Sequence, residues 1–301
     1  MDVAFRSARS EDLEPGGHIL QRAILDLRQR HGVALPQPLG PPAFQRFCLG
    51  EDPTGLWVAE VSGEVVGWAM SWMCGSFWFL SQLFVRPDLQ ARGIGQNLLN
   101  RTLTQARQHG AENRALITFA YNMRSTGLYI RSEMYPRVPL YFMAAEAARL
   151  PADLGDAGHE AEDIGLAADV PGWLSEIDQA VLSFRRDTHH AFLLCGGVAR
   201  GFRVTHAGRT AGYAYAMPNG FIGPLAVLPG EDPAAVVGAA LRRTLEVTRP
   251  EQVTMFVPGP AEQMMCAVSA FGFQIQESLV LLSAKPFGNW RNYAPSNPGY
   301  M

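Results

Sequence analysis

Apolar residues run in short blocks, or alternate with polar ones, over residues 3–8, 56–61, 65–74, 77–85, 115–120 and 139–144. Such patterns predict strands. Between them, apolar positions return at helical spacing over 17–30, 42–49, 93–109 and 123–133. The order is therefore β-α-α-β-β-β-α-β-α-β, a mixed α/β class. The stretch LFVRPDLQARGIGQNLL, residues 83–99, shows how two elements join. Leu83, Phe84 and Val85 close a strand, Pro87 and Asp88 break it, and Ile94, Leu98, Leu99 and Leu103 mark one face of a helix that starts near Gly93.

From 146 to 163 the chain turns rich in Ala, Asp and Gly and poor in large apolar residues, a composition that suits a linker. The pattern then restarts. GEVVGWA at 63–69 resembles GRTAGYA at 208–214, LFVRP at 83–87 resembles LAVLP at 225–229, and ITFAYN at 117–122 resembles VTMFVP at 253–258. Leu99 and Leu241 stand equally far beyond their prolines. The chain thus reads as two copies of one unit. The expected boundaries are 1–147 for the first, 148–162 for a linker, and 163–301 for the second with its tail.

The copies differ where a helix begins. Glycines at 93 and 95 leave the first-turn N–H groups of the predicted helix bare, at the positive end of its dipole, which is a cradle for an anion such as phosphate. In the second copy Gln90, Gly93 and Gly95 become Asp232, Ala235 and Val237. A carboxylate opposes the anion by charge, and the two side chains oppose it by bulk. Phosphate-type binding is therefore expected in the first copy alone.

Composition narrows the reading further. The chain has 301 residues, 48% of them hydrophobic and 18% charged, enough to bury a core in each of two domains. A formal net charge of −3 and no Lys/Arg-rich block argue against a nucleic-acid partner. The acidic residues near the N-terminus and the lack of a long apolar run argue against a signal peptide or a membrane span. A soluble, cytoplasmic protein is expected, either monomer or homodimer. Cys48, Cys74, Cys195 and Cys266 are far apart in sequence, so they read as scattered core thiols rather than metal ligands, and no metal is expected.

Gln90-Ala-Arg-Gly93-Ile-Gly95, behind a strand and Val85-Arg-Pro87, resembles the Q/R-x-x-G-x-G/A motif of the GNAT acyltransferase superfamily. NMRSTGLY, with Asn122, Ser125 in place of alanine, Leu128 and Tyr129, resembles that family's N-x-x-A-x-x-L-Y segment. The element order is also the family's. The resemblance implies two tandem GNAT-like domains, each a mixed, mostly antiparallel sheet flanked by helices, the second degenerate. It implies acetyl-CoA as co-substrate and an amine of a small molecule or peptide as acceptor. The pyrophosphate would lie on the backbone of Ala91, Arg92, Gly93, Ile94, Gly95 and Gln96. The pantetheine arm would pair with the backbone of Leu83, Phe84 and Val85 and meet Asn122. Tyr129 would protonate the departing thiolate; Met265 takes its place in the second copy.

The base is harder to find. The fourth and fifth predicted strands carry no Asp or Glu, leaving Ser81, Gln82 or Tyr121 to order a water. A non-catalytic acetyl-CoA-binding regulator is therefore the alternative to an enzyme, with a scaffold that binds no CoA behind both. Four other features stand outside this scheme. His189-His190 reads as a solvated helix face. Trp57, Trp68, Trp72 and Trp78 read mostly as core, with Trp72 and Trp78 able to line an acceptor pocket. The proline-rich loop 31–42 reads as a stiff wall of the acceptor site. The tail from Gly288 reads either as docked on the first domain or as an extended surface segment.

Overall fold

The computed structural model describes residues 2–33, 40–155, 158–165 and 170–301. It forms two compact units. The first holds β1 (Ala4–Ser7), α1 (Leu13–Arg30), α2 (Ala43–Glu51), β2 (Leu56–Val61), β3 (Glu64–Cys74), β4 (Phe77–Val85), α3 (Ile94–Gln108), β5 (Asn113–Phe119) and α4 (Met123–Ile130). Its strands run β1-β2-β3-β4-β5, antiparallel up to β4 and parallel between β4 and β5.

Helix α3 presents Ile94 and Leu98 to Ala59, Val66, Ala69, Val85 and Leu89. That is the face its spacing predicted. Farther along α3, buried Gln105 satisfies three polar groups at once. Its Oε1 accepts from Ser71 Oγ at 2.8 Å and Trp78 Nε1 at 3.2 Å, and its Nε2 donates to Asp52 Oδ2 at 2.6 Å. Trp72 and Trp78 are both buried, Trp72 stacked on Phe79 at 4.9 Å, so these two indoles belong to the core. The central part of the loop 31–42, residues 34–39, lies outside the described residues.

The second unit holds β6 (Tyr135–Glu146), β7 (His159–Asp163), α5 (Gly172–Leu182), α6 (Asp187–Cys195), β8 (Arg200–His206), β9 (Arg209–Ala216), β10 (Phe221–Val227), α7 (Pro233–Thr248), β11 (Gln252–Pro258), α8 (Glu262–Ala270), β12 (Gln274–Ser283) and β13 (Tyr293–Ala294). Its strand order is β12-β6-β11-β10-β9-β8-β7, with β13 on β10. The expected boundary at 147 does not coincide with this division. Strand β6 packs into the second unit because its backbone pairs antiparallel with β11, from Gln252↔Glu146 to Pro258↔Leu140. A strand belongs to the unit that satisfies its ladder.

Two further expectations are corrected here. His189 and His190 are not on a solvated face; both are buried. His190 Nε2 lies 3.0 Å from Asp178 Oδ2, and its Nδ1 lies 2.7 Å from Tyr215 Oη. Asp178 also receives a bidentate pair from buried Arg186 at 2.8 and 3.0 Å. Burial opposes the ionisation of Asp178, but Arg186 and His190 outweigh it and hold the carboxyl well below its ordinary range. Burial pulls His189 down to about 3, with Arg186 adding to the effect. Among the thiols, Cys48 and Cys74 are buried as expected, whereas Cys266 is exposed. No described helix is long and apolar enough to cross a membrane.

Candidate active site

Strands β4 and β5 part company halfway. Their parallel pairing runs from Phe77↔Asn113 to Leu80↔Leu116, and no later pair forms among the described residues. On its other side β4 stays paired with β3 as far as Gly67↔Val85. An extra residue, Ser81, is accommodated between the pairs Met70↔Gln82 and Ser71↔Leu80. Such a bulge bends the strand and helps it leave its neighbour. Ser81 Oγ is buried and has no hydrogen-bond partner among the described residues.

Arg86 N donates to Val66 O at 2.9 Å, so strand alternation turns the N–H and C=O of Val85 the other way, into the gap. Gln90 Nε2 donates to Val85 O at 3.1 Å and ties the following turn to the strand end. The N–H of Val85 faces the opening.

That turn delivers α3. Ala91 and Gly93 both take left-handed backbone conformations, with φ of 63° and 83°. Gly93 is the N-cap of α3, and the first intrahelical bond comes from Asn97 N to Gly93 O at 3.0 Å. The N–H groups before it have no helical acceptor. A Cβ on Gly95 would meet only Val85 Cγ2, at 3.7 Å, and one on Gly93 only Asn97 Nδ2, at 3.9 Å. The glycines keep open space that the protein itself does not fill.

A cavity of about 260 Å³ occupies this place. Leu83, Phe84, Val85, Ala91, Gly93, Gly95, Gln96 and Asn122 line it, so eight of the sequence-predicted residues come together. Arg92 and Ile94 do not line it: Arg92 is exposed on the turn and Ile94 is buried in the sheet-facing core. Asn122 is also the N-cap of α4, its Oδ1 accepting from Ser125 N at 3.3 Å.

Tyr129 is absent from the wall. It is buried, while Ser125 one turn earlier and Leu128 form part of the lining. Burial raises the Tyr129 phenol above its ordinary value, and the Ser125 hydroxyl beside it pulls the other way. Helical side chains lean toward the N-terminus, which carries the Tyr129 ring back toward Ser125.

The wall also contains residues that sequence reasoning missed. Ala23 and Leu27 come from α1, and the cations Arg124 and Arg131 from α4 and the residue after it. Arg124 sits inside the N-x-x-A-x-x-L-Y-like segment, and its seven-residue spacing to Arg131, two helical turns, was a readable signal. His31, at the end of α1, packs on Tyr121 with ring centroids 5.0 Å apart, next to Asn122.

A strand edge with open amide groups, a glycine-cleared helix N-terminus and flanking cations suit a ligand with its own amides and phosphates. Comparison with known proteins agrees. The sequence model of the Acetyltransferase (GNAT) family matches residues 22–132. The match falls within the first unit. An uncharacterised N-acetyltransferase of Archaeoglobus fulgidus is 27% identical over 101 residues, 30% of this chain and 67% of that protein. Over the whole length, a crystal structure of a candidate acetyltransferase from Pyrococcus horikoshii superposes with a TM-score of 0.78 at 17% identity, covering 99% of this chain and 96% of that one. A tandem GNAT protein from the clavulanic acid biosynthesis pathway superposes with a TM-score of 0.63 at 18% identity, covering 95% and 99%. The fold is that of tandem GNAT proteins, two units of mixed α/β structure.

The second unit treats the equivalent gap differently. Strands β10 and β11 pair in parallel at Phe221↔Thr254 and Ile222↔Met255. Leu228 N donates to Ala211 O at 2.8 Å, the counterpart of the Arg86–Val66 bond, so Val227 faces the gap as Val85 does. Here β13 fills it, pairing Leu225↔Ala294 and Ala226↔Tyr293. Val227 N donates to Asn292 O at 2.8 Å, and Asn292 Nδ2 donates to Val227 O at 3.1 Å. Tyr293, Ala294, Ser296 and Met301 are fully buried. The tail is thus neither a surface segment nor packed into the first unit; it belongs to the second.

Proposed function

We propose that the first unit transfers an acetyl group from acetyl-CoA to an amine, and that the second unit binds no acyl-CoA. The observation that carries this reading is the convergence of the β4 edge, the α3 cradle and Asn122 on one cavity. The N–H of Val85 would pair with an amide of the pantetheine arm, and the Nδ2 group of Asn122 would donate to it. The α3 N-terminus would take the pyrophosphate, with Arg124 and Arg131 adding positive charge.

Bound acetyl-CoA supplies an activated thioester carbonyl to the attacking amine. The chain must hold that arm still, take a proton from the amine and give one to the sulfur. Tyr129 is the donor in this reading, reaching the sulfur beside the Ser125 hydroxyl. A phenol that burial keeps protonated remains a proton source at neutral pH. His31 is the base in this reading: its imidazole packs against Tyr121 beside the cavity residue Asn122.

The test is thiol release from acetyl-CoA across a panel of small amines and N-terminal peptides. Release with an acceptor, slowed on the order of 10²-fold in Tyr129→Phe and lowered in His31→Gln without a change in KM for acetyl-CoA, is expected. A second reading, an acetyl-CoA-binding regulator, draws on the absence of Tyr129 from the cavity wall. Tight acetyl-CoA binding with no release to any acceptor would favour it.

A further inference from the structure

The turn that precedes the cradle helix differs in charge between the units. Counting from the aligned prolines, Glu231 of the second unit stands where the first has Leu89, a buried apolar residue. The Glu231 carboxylate does not point into empty solvent. It lies 3.4 Å from His206 Nδ1 and 3.9 Å from His159 Nε2. The two histidines are direct cross-strand partners in the β7–β8 pair. One ligand atom from each of the three residues lies within 4.8 Å of the others, the one such group found among the described residues.

We propose that His159, His206 and Glu231 form a site for a divalent transition ion, with zinc the best fit. Two imidazoles and one carboxylate are a donor set for zinc rather than for magnesium or calcium, which take oxygen ligands. Donors held at about 2.0–2.1 Å around a tetrahedral ion stand about 3.4 Å apart, the scale of both measured separations. Water takes the fourth position.

Two hydrogen bonds to backbone carbonyls brace the frame. Arg242 Nη2 donates to His159 O at 3.1 Å and fixes that strand end. Glu231 N donates to Leu228 O at 3.1 Å and closes the turn. Neighbouring Asp232 is engaged as the N-cap of α7, its side chain accepting from Ala234 N, and is not a fourth ligand.

The two imidazole rings stack, with centroids 4.3 Å apart and planes 11° from parallel. A metal lies near the plane of each ring that binds it, so loading requires one ring to turn. His159 is buried, whereas the side chain of His206 is 43% exposed and has the room. The ion would tie the edge pair β7–β8 to the turn between β10 and α7. A cation thus replaces the anion that the corresponding turn of the first unit is shaped to receive.

The experiment uses the full chain, stripped with a chelator and titrated with zinc chloride by calorimetry, with thermal unfolding in parallel. One zinc per chain is expected, with Tm raised by about 5 °C at a hundredfold excess over Kd. His206→Asn and Glu231→Gln, both at accessible positions, should each weaken binding at least about tenfold and remove the Tm rise. Cys266→Ser, which removes the exposed thiol, should leave both unchanged. No saturable binding up to about 100 µM zinc, or binding unaltered by His206→Asn and Glu231→Gln, would overturn the proposal and leave a stacked imidazole pair beside a carboxylate.

Discussion

The edges of β4 and β10 are the same piece of architecture with opposite fates. Both strands end in a valine turned away from its antiparallel neighbour, and both part from the parallel strand beside them. At β10 the chain brings its own strand, so Val227 is hydrogen-bonded on both its N–H and its C=O. At β4 the C=O of Val85 is held by Gln90, and the N–H opens on a cavity. An unpaired edge inside a sheet needs an occupant. The second unit supplies one from the polypeptide; the first, in the function we propose, takes a ligand that carries amides. Where the chain fills the cleft, Ala235 and Val237 stand in place of Gly93 and Gly95.

The comparison breaks most visibly if β13 is removed. Tyr293→Ala empties a fully buried site and should cost about 3–5 kcal/mol of stability in denaturant unfolding. Acetyl-CoA affinity should stay within about twofold, because the two clefts are separate. A variant that unfolds no more easily would mean that the tail is merely resting on β10.

Gly93→Asp probes the other cleft. It places a carboxylate at the helix N-terminus and a side chain where φ is 83°. Acetyl-CoA affinity should fall by on the order of 100-fold or more, measured by calorimetry. Full affinity in this variant would move the pyrophosphate elsewhere.

Tyr129→Phe keeps the ring and removes the proton. A fall in kcat on the order of 10²-fold is expected, with KM for acetyl-CoA little changed. Equal kcat on a confirmed acceptor would reduce Tyr129 to packing beneath Ser125.

The smallest effect concerns the buried polar interior of the second unit. His189 is held neutral, with its folded value down at about 3, well under that of an exposed imidazole. Between roughly pH 6.5 and 3 the unfolded chain binds the extra proton, so stability is present above that window and declines as pH falls through it. The slope from this one residue is about 1.4 kcal/mol per pH unit. Replacing His189 with Asn should flatten the stability–pH curve between pH 6 and 4 by about one proton. An unchanged slope would mean that His189 is already protonated in the folded state.

Much of this was legible in the residues. Strands 56–61 and 77–85 were read to the residue, because mostly apolar stretches that start after Gly55 and Ser76 and stop at Ser62 and just before Pro87 leave little freedom. The glycine-cleared start of α3 was legible because Gly93 and Gly95 act through backbone, and backbone needs declare themselves in sequence. Partner choice was not. The apolar pattern of β6 shows that it is a strand, yet nothing in it says that β11 takes up its ladder. The tail was obscured for a related reason: Gly, Pro, Asn and Ser read as loop, while Tyr293 and Ala294 bind through main-chain groups that composition does not record. His189 and His190 looked solvated because charged capacity suggests water; Asp178 from α5, Tyr215 from β9 and Arg186 at the N-cap of their own helix make the interior polar enough to hold them. Spacing along one helix could not show that Ser125 and Leu128, and not Tyr129, would line the cavity.

The most direct test of the central claim is residue-resolved hydrogen exchange at the two matching valines, with and without acetyl-CoA. The amide of Val227 should be protected in both conditions, held by Asn292. The amide of Val85 should exchange quickly in the free protein and slow when acetyl-CoA is added, together with those of Gly95 and Gln96. Protection that appears at Val227 on adding acetyl-CoA, or no change at Val85, would contradict the assignment of one open and one self-filled cleft.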